Sequence, residues 1–277
     1  MKQIIYTDLD GTLLDFTDYS YRVIEESIAC LKSLDIPVIF CSSKTRAEQA
    51  YYLQALDLHS PFIVENGSAI FIPAGFFDFE LSTVSFLKHV SSGKSDGHDV
   101  LVLGTGYHQI RQVLERARKD TGLKAKGYAD LSVLRIMALT GLDQKAAERA
   151  AQREFSETLL EGVSESEAWD SFLNILNGEK LQCVSGGKFH TIMGVNSDKG
   201  KAVALLNELM RLKYGEIHTI GLGDSANDLP LLHAVDQPFL VRRRDGSWLE
   251  NAPSRVEKVS GIGPAGWKMA ISQLFNL

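Results

Sequence analysis

Cysteine is scarce in this chain and what there is does not pair: Cys30, Cys41 and Cys183 are an odd number with no two close together. That excludes a disulfide framework and a zinc site of clustered thiolates, and it implies a reducing compartment. No apolar run reaches the roughly 18 residues a membrane span needs. The first strand-like run already carries Thr7 and Asp8, so we expect a cytoplasmic protein without a membrane partner. Positive charge is in deficit, 29 Lys and Arg against 35 Asp and Glu for a net charge of -6, and both signs are mixed along the chain. No basic stripe offers itself to a phosphate backbone, which excludes nucleic acid as a partner. The seven histidines show no metal-ligand spacing, and there is neither a fixed-period repeat nor a low-complexity tract.

What is present is an ordinary globular composition, 44% hydrophobic and 23% charged over 277 residues, enough for one large or two ordinary domains. An apolar strand at Ile4 to Thr7 is followed by helical spacing over Tyr21 to Leu34, a strand at Pro37 to Cys41 and a helix over Thr45 to Leu56. This βαβα order predicts an α/β fold with a parallel sheet covered by helices. Asn66-Gly67 predicts a hairpin between Pro61–Glu65 and Ala69–Ile72. From about Phe76 the texture changes: Ser91 to Gly97 is polar and turn-rich, then come helical stretches and a strand-like Leu181 to Val184. The first pattern returns after Phe189. We therefore expect a Rossmann-like core of residues 1–76 and 188–277, interrupted by an inserted α+β cap of residues 77–187.

"DLDGT" places Asp8 and Asp10 at the carboxyl end of the first strand, where open parallel sheets bind ligands. Two residues apart on extended chain, their side chains share a face, and a divalent cation is the usual means of keeping two such carboxylates ionised. An Asx-type turn closing the strand is the alternative for this segment alone. "GLGDSANDLP" adds Asp224 and Asp228 at another strand end; a calcium loop there would need an oxygen donor where Ala226 stands. "CSSKTRAE" ends its strand in Ser42 and Ser43, with Thr45 and Glu48 spaced as a helix capping box and free N–H groups suited to an anion. "NSDKGKA" puts Lys199 at a helix start, where its charge opposes the helix dipole and suits a bound anion. Four carboxylates, a lysine, a hydroxyl and helix N-termini together describe a magnesium and phosphate site.

These four stretches resemble the ordered motifs of the haloacid dehalogenase superfamily, and the insertion resembles the type IIB cap of its sugar-phosphate phosphatases. More narrowly, "CSSKTRAE", "VENGSAIFIP", "QREFSET", "GGKFHTIMG" and "GPAGW" resemble the mannosyl-3-phosphoglycerate phosphatases. The second motif more often carries threonine where this chain has Ser42. The resemblance implies a phosphoric monoester hydrolase with Asp8 as nucleophile, Asp10 as acid and base, and Ser42 and Lys199 stabilising the transferring phosphoryl group. It implies Mg²⁺ held by Asp8, the Asp10 carbonyl and Asp224, with Asp228 nearby, and a small sugar phosphate as partner; oligomeric state is not legible. It also implies substrate contacts at Ser43, Lys44, Asn66 and Asn227.

The cap must supply specificity. Arg153 suits a bidentate bond to a glycerate carboxylate and Glu154 suits sugar hydroxyls, although exposed charges would give the same spacing. Gly186 and Gly187 offer close backbone approach, with Lys188 and His190 on one strand face; a plain interdomain hinge and a surface histidine are the alternatives. Spacing does not separate a phosphatase from a phosphomutase of the same cap class, nor a mannosyl from a glucosyl substrate; the narrower resemblance favours the mannosyl phosphatase.

Overall fold

The computed structural model describes every residue except Glu165, Gly187, Lys188, Asn251, Asn276 and Leu277. Along the chain the first unit comprises β1 (Lys2–Thr7), α1 (Glu25–Ser33), β2 (Val38–Phe40), α2 (Arg46–Ala55), β3 (Phe62–Val64), β4 (Ala69–Pro73), β5 (Ser91–Ser95) and β6 (His98–Val102). The insertion holds α3 (Tyr107–Thr121), β7 (Lys126–Gly127), α4 (Val133–Thr140), α5 (Gln144–Ala150), β8 (Ser156–Glu161), α6 (Glu167–Gly178), β9 (Leu181–Gly186) and β10 (Phe189–Gly194). The chain returns through α7 (Lys199–Tyr214), β11 (Ile217–Gly223), α8 (Leu229–His233), β12 (Gln237–Arg242), β13 (Glu257–Ile262) and α9 (Gly263–Phe275).

The core is a parallel sheet in the order β13-β12-β11-β1-β2. Its strands β1, β2, β11 and β12 are buried along most of their length because both faces are covered, while the edge strand β13 is largely exposed. Ile5 joins Ile28 and Leu31 of α1 and Trp267 and Ile271 of α9 in one cluster; Ile4 and Tyr6 join Leu206 and Met210 of α7 on the other. Each such fully buried side chain contributes roughly 1.5–3 kcal/mol. Trp267 finds a partner for its indole N–H in the Thr7 hydroxyl at 3.1 Å.

A second sheet, antiparallel in the order β3-β4-β6-β5, abuts the core through a bridge between Cys41 and Ile63. The cap sheet, β7-β8-β10-β9, is also antiparallel. Helices α3 and α6 cover one face of it, with Leu114 and Phe172 in that cluster. The opposite cluster, around Tyr128, Ile136 and Leu160, takes in Tyr19 from the core.

The helices and strands read from hydrophobic periodicity are present within a few residues. The turn-rich Ser91–Gly97 differs: it is mostly strand β5, with Asp96 and Gly97 making the turn into β6. Periodicity misses it because it is an exposed edge with no apolar face. Strand pairing links elements on either side of both expected seams: β5 and β6 extend the β3–β4 sheet to Val102, and β10 pairs with β8 and β9. The segments crossing between core and cap run side by side. Gly104 N–H donates to the Ser68 carbonyl at 2.9 Å, and the Ser68 hydroxyl donates to that of Ser197 at 2.9 Å.

Candidate active site

Strand β1 delivers its chain to the site at Asp8, whose N–H continues the parallel ladder by donating to Leu222 of β11 at 2.9 Å. Beyond β11 the chain turns at Ser225, and the N–H groups of Asp224 and Ser225 donate to Asp228 Oδ2 at 3.1 and 3.0 Å. The third contribution is α7. Asp198 caps it by accepting from Lys201 N–H at 2.9 Å, which leaves Lys199 as its first residue, with a side chain only 1% exposed. Its ammonium lies 2.6 Å from Asp8 Oδ1 and 2.6 Å from Asp228 Oδ1. A lysine at that helix end opposes the dipole, and two carboxylates in direct contact outweigh it.

Carboxylate oxygens of Asp8, Asp224 and Asp228 lie within 4.8 Å of one another. Three carboxylates against the one ammonium leave a formal excess of two negative charges. Burial, then repulsion from Asp228, raises the Asp8 carboxyl well above the usual range, and Lys199 only partly offsets this. The same two causes push Asp224 up to about 7. Burial would lower Lys199, but Asp228 and Asp8 hold it charged, above its ordinary value. An all-oxygen donor set with two charges uncompensated fits a hard divalent cation such as Mg²⁺. Gly11, at φ 76, makes room for this group: a Cβ there would sit 3.1 Å from Asp224 Oδ2.

Asp10 does not share that cluster. The strand ends at Thr7, so the two-residue alternation does not carry through, and the Asp10 carboxylate meets Lys44 at 2.9 Å instead. Lys44 also faces Glu48 at 3.3 Å and lies over the Tyr19 ring. Burial opposes its charge, and Asp10 and Glu48 more than restore it. Ser42 is fully buried, and the capping box of Thr45 and Glu48 is formed. The hairpin turn adds Asn66, whose side-chain oxygen accepts from Asn227 at 3.4 Å. Gly67 lies at φ 86, where an added Cβ would stand 2.2 Å from the Asp198 carbonyl oxygen, so only glycine lets the turn approach α7. A cavity of about 180 Å³ opens here, between Asn66, Asn227 and Lys199 of the core and Gln182, Val184 and Met193 of the cap.

The residues read as cap contacts separate. Arg153 is buried and committed: it donates to the Ser156 carbonyl at 3.2 Å, the Ser156 hydroxyl at 2.8 Å and the Ser43 carbonyl at 3.1 Å. Glu154 accepts from Arg46 at 2.8 Å. Gly186 ends β9 opposite Phe189. His190 packs on the other face of the cap sheet, its ring 5.1 Å from that of Trp169 and 3.9 Å from the Cys183 sulfur. Gly187 and Lys188 lie outside the described residues.

Four residues that sequence reasoning passed over pack around these groups. Thr12 donates to Asp224 Oδ1 at 3.4 Å, and Arg243 to the Asp224 carbonyl at 3.1 Å. Tyr19 roofs Lys44, and the buried Glu65 faces Arg153 at 3.6 Å. Burial raises the Glu65 carboxyl, with Arg153 and hydrogen bonds opposing. A charge at the end of the apolar "FIVENG" was the available signal for Glu65.

Residues 5–253 match the profile of the haloacid dehalogenase-like hydrolases. The chain belongs to this family. Within the hydrolases it is 44% identical, over all of its length and 98% of the relative's, to a protein of Methanococcoides burtonii named glucosyl-3-phosphoglycerate/mannosyl-3-phosphoglycerate phosphatase. It is 35% identical, over 95% of its length and all of the relative's, to one of Pyrococcus horikoshii named mannosyl-3-phosphoglycerate phosphatase. In fold it is similar to the sucrose-phosphatase of Synechocystis, with TM-score 0.62 and 15% identity over 99% of this chain and 98% of that one. A haloacid dehalogenase-like hydrolase of Bacteroides thetaiotaomicron gives 0.66 and 15% over 99% and 100%. Among the described residues no helix is long and apolar enough to cross a membrane.

Proposed function

We propose that this hydrolase is a cytoplasmic, Mg²⁺-dependent phosphatase that converts mannosyl-3-phosphoglycerate, and its glucosyl analogue, into the glycosylglycerate and phosphate. The observation that carries the chemistry is the buried contact of Lys199 with Asp8 and Asp228 at the carboxyl ends of β1 and β11. The substrate class rests on the relative that is 44% identical, whose name carries both sugars, and on a second of Persephonella marina at 32% with the same name.

In this reading an Asp8 carboxylate oxygen attacks phosphorus as the bond to the glycerate oxygen breaks, giving an aspartyl-phosphate. Asp10 gives its proton to that leaving oxygen. It then takes a proton from the water that attacks the aspartyl-phosphate, and phosphate departs as Asp8 is restored. Mg²⁺ bound by Asp8, Asp224 and Asp228 would supply the charge that lets an anionic nucleophile meet an anionic ester. Lys199 orients Asp8 and, with the Ser42 hydroxyl, stabilises the phosphoryl oxygens. Asn66, Asn227, Ser43 and Lys44 line the approach. The cap, which we take as residues 105–194, excludes water from the charged site when docked.

The test is phosphate release from a panel: mannosyl-3-phosphoglycerate, its glucosyl analogue, sucrose 6-phosphate, hexose monophosphates and hexose bisphosphates. The highest kcat/KM is expected on the two glycosyl-phosphoglycerates. A maximum on a simple hexose phosphate leaves only the broader phosphatase assignment, and net isomerisation of a sugar phosphate would make the enzyme a mutase.

A further inference from the structure

Glu65 is fully buried, sits at a left-handed φ of 48 where a non-glycine residue is uncommon, and has no part in the chemistry above. Its two halves serve different neighbours. On the backbone side the turn holds the loop that carries Ser42, Ser43 and Lys44: Glu65 N–H donates to the Lys44 carbonyl at 3.1 Å, and Asn66 N–H to the Ser42 carbonyl at 3.0 Å.

On the side-chain side, the hydrogen bonds all come from one short segment of the cap. Glu65 Oε1 accepts from Glu154 N–H at 2.8 Å, and Oε2 accepts from Phe155 N–H at 3.2 Å and from the Ser156 hydroxyl. Arg153 Nε stands 3.6 Å away and compensates the charge. Arg153 then returns to the core by donating to the Ser43 carbonyl. Hairpin turn, phosphate loop and cap segment thus form one closed ring of polar contacts with a carboxylate at its centre. A buried carboxylate is tolerated only where donors surround it, and undocking segment 153–156 would strip this one of every hydrogen bond named here.

We propose that Glu65 is a positioning residue that couples docking of the cap to the geometry of the phosphate-binding loop. Turnover of an ester with a large leaving group, which must be enclosed by the cap, depends on it; turnover of a small ester does not. This rests on the phosphatase reading of the site. The physical reason is that contacts to the remote part of a large substrate accelerate its reaction only if they are transmitted to the reacting groups, and the ring around Glu65 is a direct route from segment 153–156 to Ser42 and Ser43.

The experiment measures kcat and KM of the full-length protein and of the Glu65→Gln and Ser156→Ala variants on mannosyl-3-phosphoglycerate and on p-nitrophenyl phosphate. Mg²⁺ affinity is followed by calorimetry. For Glu65→Gln we expect kcat/KM on the sugar ester to fall about 10- to 100-fold, the worth of hydrogen bonds to a charged group. The fall should lie mainly in kcat, with p-nitrophenyl phosphate within about threefold and Mg²⁺ affinity unchanged. Ser156→Ala removes one donor to Glu65 and one acceptor of Arg153 but leaves the two charges facing each other, so it should show the same split at about 3- to 10-fold. If Glu65→Gln does not fold, the Ser156→Ala split decides alone. An equal fall on both esters, as a merely structural role would give, overturns the coupling, and so does an unchanged sugar ester. If the wild type ignores mannosyl-3-phosphoglycerate, the substrate assignment fails separately, and the best sugar phosphate of the panel serves for the same comparison.

Discussion

The Lys199 ammonium stands 2.6 Å from Asp8 Oδ1 with its side chain 1% exposed, so the residue proposed to attack phosphorus is oriented by a charge water scarcely reaches. Removing one partner from such a pair is costly because the other is left buried and unpaired. Lys199→Met should lower kcat by at least about 100-fold and destabilise the metal-free protein by about 3 kcal/mol. Steady-state kinetics and denaturant unfolding check both; a stable variant with near-normal kcat would contradict the assignment.

Asp8→Asn should behave oppositely in stability. It removes the nucleophile and also one of three crowded negative charges, so turnover disappears while the metal-free Tm stays level or rises. Loss of both activity and fold would show that Asp8 is chiefly structural.

The pH dependence of the metal-free protein follows from the raised carboxyls. Asp224 at about 7, with Asp8 also raised, means that the folded state holds protons the unfolded chain has released. Their contribution is present below the unfolded carboxylate range and is lost as pH rises through about 7. Metal-free Tm should therefore fall between about pH 6 and pH 8. Mg²⁺, which needs the ionised carboxylates, should stabilise more at the higher pH. At about 100-fold excess over its dissociation constant the gain is about 2.7 kcal/mol. Scanning calorimetry with EDTA or Mg²⁺ at the two pH values checks it, and a pH-independent Mg²⁺ increment would refute it.

Gly67→Ala should destabilise by more than about 1 kcal/mol, since it combines a positive φ with a Cβ 2.2 Å from the Asp198 carbonyl oxygen. The turn carries Asn66, so kcat/KM should fall as well. Chemical denaturation and kinetics on one sample test this; a neutral variant would mean that the turn and the start of α7 are not fixed against each other.

How legible all this was depends on the range of the interaction. Asp8, Lys199, Asp224 and Asp228 were readable because each lies in a short motif where a strand meets a turn or helix, and strand ends converge in a parallel sheet. The Glu65–Arg153 contact spans 88 positions, and no local pattern announces it. His190 could be assigned to a strand but not to a face: the pleat fixes that it shares a side with Ile192, and only packing against Trp169 shows which side that is. The polar edge strand β5 escaped for a related reason, because backbone pairing defines it and hydrophobic alternation does not.

The most direct test of the central claim is a single turnover with mannosyl-3-phosphoglycerate carrying ³²P, quenched in acid within milliseconds and followed by peptide mapping. The account predicts label on the peptide that contains Asp8, removed by hydroxylamine and absent from Asp8→Asn. Rapid release of labelled phosphate with no protein-bound label at any time point, and an Asp8→Asn variant that still turns over, would contradict it.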